Sequence, residues 1–153
     1  MAAGFRQLFR QRIALDPETI TLADLFLEKM QIVRITEKDI IDTISLFLAH
    51  PVTDNEAGVN ADYIAKRLSS DWGFYHTATI NLKRVRDEFL DQYTLIPAAD
   101  RQLARGRMDE MLNCIDSIPK SIQWKMRSQV GTRMKWYKDV GELERMPDDG
   151  SNS

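Results

Sequence analysis

The stretch Thr21-Leu-Ala-Asp-Leu-Phe-Leu-Glu-Lys-Met-Gln-Ile-Val-Arg34 decides the fold class, because its apolar residues recur three and four apart. At 3.6 residues per turn Leu22, Leu25, Phe26, Met30 and Val33 share one helical face. Lys29 lies four after Leu25 and three after Phe26, so the same geometry turns an ammonium toward the core. Desolvating that charge costs several kcal/mol unless an anion answers it. Two readings fit. In one, Lys29 snorkels, laying its methylenes along Phe26 or Met30 with its charge at the edge of the face. In the other it holds an anionic ligand or a carboxylate of a site. Periodicity alone does not separate them, but the next segment, Thr36-Glu-Lys-Asp-Ile-Ile-Asp42, supplies acids close by.

Working outward, Thr21 with Asp24 and Thr36 with Asp39 each place a hydroxyl cap three residues before an acid, the spacing of a helix start. Ile40, Ile41, Ile44, Phe47 and Leu48 make a second apolar stripe, with Asp39 and Asp42 near or beyond its edge. That helix should end near His50, since Pro51 disfavours helix at the residue before it. Val52 to Gly58 reads as a polar loop, and Asn60 caps a third helix over residues 61–68. Gly73 is expected to interrupt the chain before a fourth helix, from about Thr77 to Tyr93, with Ala78, Leu82, Val85, Phe89 and Tyr93 inward. Met108, Met111, Leu112 and Ile115 mark a fifth, and a last helix follows Pro119 and runs to about Val140.

The expectation is therefore a mostly α protein, a compact bundle of about six helices with a short N-terminal strand or arm. Residues 1–20 form that irregular arm, 21–140 the helical domain, and 141–153 an acidic, small-residue tail that reads as disordered.

Composition narrows the function classes. The chain has 153 residues, 43% hydrophobic and 29% charged, with formal net charge -2. No overall charge excess points to nucleic acid or an anionic membrane, so any polyanion site must be local. The single cysteine, Cys114, rules out an intrachain disulfide and a cysteine-clustered zinc site, and His50 and His76 are too few for a histidine-rich one. No apolar run reaches transmembrane length, and the first residues lack the apolar centre of a signal peptide, so a cytoplasmic protein without a membrane partner is expected. Neither a nucleophile signature nor a glycine-rich phosphate loop is present.

The strongest electrostatic feature is the last helix: Lys120, Lys125, Arg127, Arg133, Lys135 and Lys138 occur with no acid among them, interleaved with Trp124, Trp136 and Tyr137. Cations beside flat aromatic faces suit phosphates and bases, so Lys125, Arg127, Arg133 and Lys135 are candidate contacts to RNA or a nucleotide. The plainer reading is an amphipathic helix that packs its tryptophans inward and solvates its lysines. Residues 61–68, the break Ser69-Ser-Asp-Trp-Gly73 and the following helix also suggest a helix-turn-helix, with Lys83, Arg84 and Arg86 toward DNA. Asp71, Asp87, Glu88 and Asp91 nearly cancel those charges.

The segments Leu15-Asp16, Asp24-Leu-Phe-Leu-Glu-Lys29-Met-Gln-Ile-Val-Arg34 and Glu37-Lys38-Asp39-Ile-Ile-Asp42 resemble a signature of nucleotidyltransferase-like proteins of the polymerase-beta superfamily, including AbiEii-type toxins. There, a lysine on one helix is followed by a basic-acidic pair and a second acid. The rest, through Asp71-Trp-Gly73 and Pro119-Lys-Ser121, resembles the helical C-terminal part of such proteins. The resemblance implies that Lys29 and Lys38 contact a nucleotide's phosphates, with Asp39 or Asp42 orienting the lysine or a substrate hydroxyl. It also implies a strand-borne, magnesium-binding head after a Gly-Gly or Gly-Ser turn, which this chain lacks. The only Gly-Ser pair is Gly150-Ser151. The implied protein is a truncated form or a helical half, inactive alone, with no metal ligands of its own. It would take magnesium and a nucleotide only if another chain supplied the head. The other class kept open is a helical protein-interaction or DNA-binding module.

Overall fold

Hydroxyl caps set the first two helices. Thr21 Oγ1 accepts from the Asp24 backbone N–H at 3.0 Å and starts α1, Leu22–Met30. Thr36 and Asp39 close a reciprocal capping box at the start of α2, Glu37–Ala49, which ends at His50 in front of Pro51. A computed structural model of the chain describes residues 20–135. The expected N-terminal strand or arm, the tail from Gly141, and Trp136, Tyr137 and Lys138 lie outside the described residues.

Within them the protein is mostly helical, as the periodicity predicts. After α2 come β1, Val52–Thr53, and β2, Val59–Asn60, then α3, Ala61–Ser69; α4, Trp72–Arg84; α5, Ala98–Ser117; and α6, Ile122–Val130. A π turn, Val85–Phe89, and a 3-10 turn, Leu90–Gln92, extend α4, and a 3-10 turn, Gly131–Arg133, follows α6.

The polar loop expected at 52–58 is instead a parallel two-strand clip, Val52 opposite Val59 and Thr53 opposite Asn60. Parallel strands ordinarily need a long crossover. Here the connection is short because Gly58 lets the backbone close on itself. A Cβ there would stand 2.4 Å from the Pro51 carbonyl oxygen, while Val59 N–H donates to that same oxygen at 2.9 Å.

Helix α4 also departs from expectation. Asp71 caps it through Phe74 N–H, so it begins at Trp72 and runs through Gly73. Tertiary burial of Trp72 and Ala78 outweighs the modest cost of a glycine inside a helix. The π turn then shifts the inward face by one residue: Val85 and Leu90 are buried, whereas Phe89 and Tyr93 only rest on the core.

The core is filled by Phe26, Met30, Ile44, Phe47, Ile64, Leu68, Leu82, Met108 and Met111. Phe26 and Phe47 meet edge to face, their centroids 5.9 Å apart. Helix α5 packs on α2 and α3, and its Arg107 donates to the Phe47 and Leu48 carbonyls at the end of α2. That guanidinium satisfies acceptors a helix terminus leaves unpaired.

Candidate functional site

The buried residues of α1 are Ala23, Phe26, Leu27 and Met30, so its inward face is rotated from the expected stripe, leaving Leu22 and Leu25 only partly covered. Lys29 accordingly falls at the edge of the face, its side chain 15% exposed. Its amine lies 3.1 Å from Asp42 Oδ2 and 3.5 Å from Asp39 Oδ1, both on α2. Burial pulls that ammonium down, but hydrogen bonding and charge from Asp42 and Asp39 outweigh it and leave its pKa above the ordinary lysine value. The inward lysine is thus answered by protein carboxylates.

The two acids are more buried than their place beside the apolar stripe suggests, because the lysine draws them under α1. Asp39 does double work: its Oδ2 accepts from Thr36 N–H and, at 2.7 Å, from Thr36 Oγ1, while its other oxygen faces Lys29. Lys38, the basic member of the expected pair, is exposed on the first turn of α2 and stands outside the cluster. Two carboxylates beside one ammonium leave a phosphate facing acidic oxygens unless a cation accompanies it.

Asn81, on α4, was not singled out by pattern. It is buried, and its Nδ2 donates to the carbonyls of Met30 at 3.1 Å and Ile32 at 2.6 Å, fixing the end of α1 directly after Lys29. A polar residue within an apolar stripe was the only available signal.

The basic segment is differently built. Helix α6 ends at Gly131, short of the expected Val140, because Gly131 takes φ 60 and ψ -142, a conformation suited to glycine alone. It has no buried residue. Of the four candidate contacts, Lys125, Arg133 and Lys135 are exposed and Arg127 is half-buried. It donates to the Gly131 and Met134 carbonyls and stacks over Trp72, 4.8 Å from the ring centroid. Trp72 in turn stacks on His76, whose pKa is lowered by burial and by Arg127.

Lys120 closes the end of α5 through the Ile115 and Ile118 carbonyls and sits over Tyr75 and Trp124, with burial holding its pKa below the ordinary value despite Asp116. Tyr75, hydrogen-bonded to Asp116, is pushed up to about 12, chiefly by burial. Part of the basic, aromatic character read as a nucleic-acid surface therefore fastens α6 to α4.

For the helix-turn-helix, α3 and α4 do meet through a two-residue turn, but α4 is buried along Trp72, Ala78, Asn81 and Leu82. Arg84 pairs with Glu88, and Arg86 with Asp87 and Asp109, while Lys83 is exposed. Among the described residues no group of three or more His, Cys, Asp or Glu side chains could hold a metal ion, and no helix is long and apolar enough to cross a membrane. No family model, curated protein or solved structure matches the chain.

Proposed function

We propose that the chain is the helical half of a nucleotidyltransferase-like protein, in which Lys29 contacts nucleotide phosphates while Asp39 and Asp42 keep that ammonium charged and aimed. The observation that carries this reading is the convergence of two carboxylates from α2 on one amine of α1, at 3.1 and 3.5 Å, on a lysine whose side chain is 15% exposed at the edge of the core. Fixed orientation of a protonated lysine is what phosphate positioning requires. The reading assigns this chain binding and orientation and leaves metal chemistry to another chain.

The two carboxylates beside Lys29 give the proposal a specific signature: a nucleotide should bind far better with its charge offset by magnesium than without it. Titration of a fluorescent ATP analogue, with and without magnesium, against wild type, Lys29→Arg and Lys29→Met tests it. Retained binding in Lys29→Arg and a loss of about tenfold or more in Lys29→Met, equivalent to about 1.4 kcal/mol, supports the reading. Binding unchanged in Lys29→Met, or absent from wild type, overturns it.

A second reading, a helical interaction module in which the cluster is only a clasp between α1 and α2, is favoured by the commitment of Asp39 to the capping box. It predicts that Lys29→Met lowers stability while wild type takes up no nucleotide.

A further inference from the structure

Two surfaces outside the Lys29 cluster complement each other. The first is a cleft of about 520 Å³, between the β1 end of the clip, the start of α3 and the second half of α5. Its apolar lining is Val52, Ala61 and Ile118, and its acids are Asp54, Glu110 and Asp62, the last paired with Lys66 at 2.8 Å. No lysine or arginine lines it. That volume lies within the usual range of binding clefts.

The second surface is the outer face of α6. Ile122 and Met126, four residues apart, are 77% and 64% exposed. Lys125 and Gln129, also exposed, share that face. Among the described residues nothing covers these two large apolar side chains of a helix that has no buried residue.

The charge is divided in the same way. Residues 20–119 carry sixteen Asp and Glu against eleven Lys and Arg, whereas residues 120–135 carry five Lys and Arg and no acid. An apolar pair beside the exposed Lys125 carries charge of the sign that a cleft rimmed by Asp54 and Glu110 accepts.

We propose that copies of this chain dock on one another through these surfaces, the Ile122–Met126 face of one entering the cleft of the next with Lys125 toward Glu110. Such a contact joins two different patches, so it is either reciprocated within a dimer or continued along a chain of copies. The inference is independent of nucleotide binding at Lys29.

Sedimentation velocity and light scattering over a range of concentrations and salt test it, using Lys125→Glu and Glu110→Lys, both at exposed positions, with circular dichroism confirming the fold. Wild type should gain mass as concentration rises and lose it as salt rises. Each single variant should remain monomeric, and an equimolar mixture of the two should associate again, because each restores a complementary pair at the joint. Wild type that stays monomeric throughout, or a mixture that does not recover association, overturns the proposal. Binding of an RNA oligonucleotide or anionic vesicles by a monomer whose α6 face does not self-associate overturns it equally.

Discussion

The Lys29 cluster and the α6 junction both bring cations against the helical body, but they differ in what holds them. At Lys29 the cation meets carboxylates beneath a packed helix, and the neighbouring backbone is secured by Asn81. At α6 the cations meet ring faces and carbonyl oxygens, no side chain is buried, and the indole N–H of Trp124 is enclosed without an acceptor among the described residues. An enclosed donor left unpaired weakens a contact. The lesson is that charge inside the body is structural first, while charge on α6 belongs to a loosely attached element.

The largest perturbation should come from the body itself. Phe47→Ala removes a fully buried ring that meets Phe26 edge to face and should cost about 3–5 kcal/mol in urea unfolding, with all probes moving together. Next, Lys29→Met removes the ammonium that Asp39 and Asp42 share. Breaking a fully buried pair costs about 3–5 kcal/mol, and the partial exposure here reduces the expectation to about 2. Adding Asp42→Asn to Lys29→Met should return part of that loss, and a double-mutant cycle with no coupling would refute the clasp.

Alkali sharpens the comparison further. The folded pKa of Lys29 is raised, so its contribution is intact below the ordinary lysine range and is lost as pH climbs through the raised value. Tyr75 follows the same sign, its contribution fading between the ordinary tyrosine value near 10 and about 12. Tyrosinate absorbance and tryptophan fluorescence should report the α6 junction loosening in that interval, and a normal tyrosine titration for Tyr75 would refute its burial against Asp116.

The smallest global effect is expected from Gly131→Ala. An alanine at φ 60 and ψ -142 is strained by about 1–3 kcal/mol, yet the change should move global stability by less than about 0.5 kcal/mol, because α6 contributes no buried residue of its own. Amide exchange should quicken along residues 122–133 alone. Quickened exchange in α2 or α5 would show that α6 is integral to the body.

How much of this was legible in the chain follows from the kind of signal each feature carries. Local rules sufficed for the hydroxyl caps at Thr21 and Thr36 and the amide cap at Asn60, for the stop before Pro51, and for the inward face of α5; on α2 they missed Leu46, which is buried, and set Ile41 and Leu48 deeper than they lie. They also sufficed for a lysine forced toward acids, since spacing and desolvation are properties of neighbours in sequence. Features decided by distant partners were not legible. Gly73 read as a break until Trp72 and Ala78 found the core, and the clip at 52–60 depends on a contact between Gly58 and Pro51 that no propensity encodes. Asn81 gains meaning only from carbonyls some fifty positions earlier. The charges of α6 were visible, but the division of Arg127 and Lys120 from exposed Lys125 and Arg133 required knowing which rings lie underneath.

The wide turn at Val85–Phe89 carries a consequence of its own. One extra residue per coil advances everything after it by a notch, which is why Leu90 rather than Phe89 fills the interior. Deleting one residue between Val85 and Leu90 would let an ordinary α turn bring that same leucine inward, so this stretch should tolerate the loss of one residue better than the gain of one.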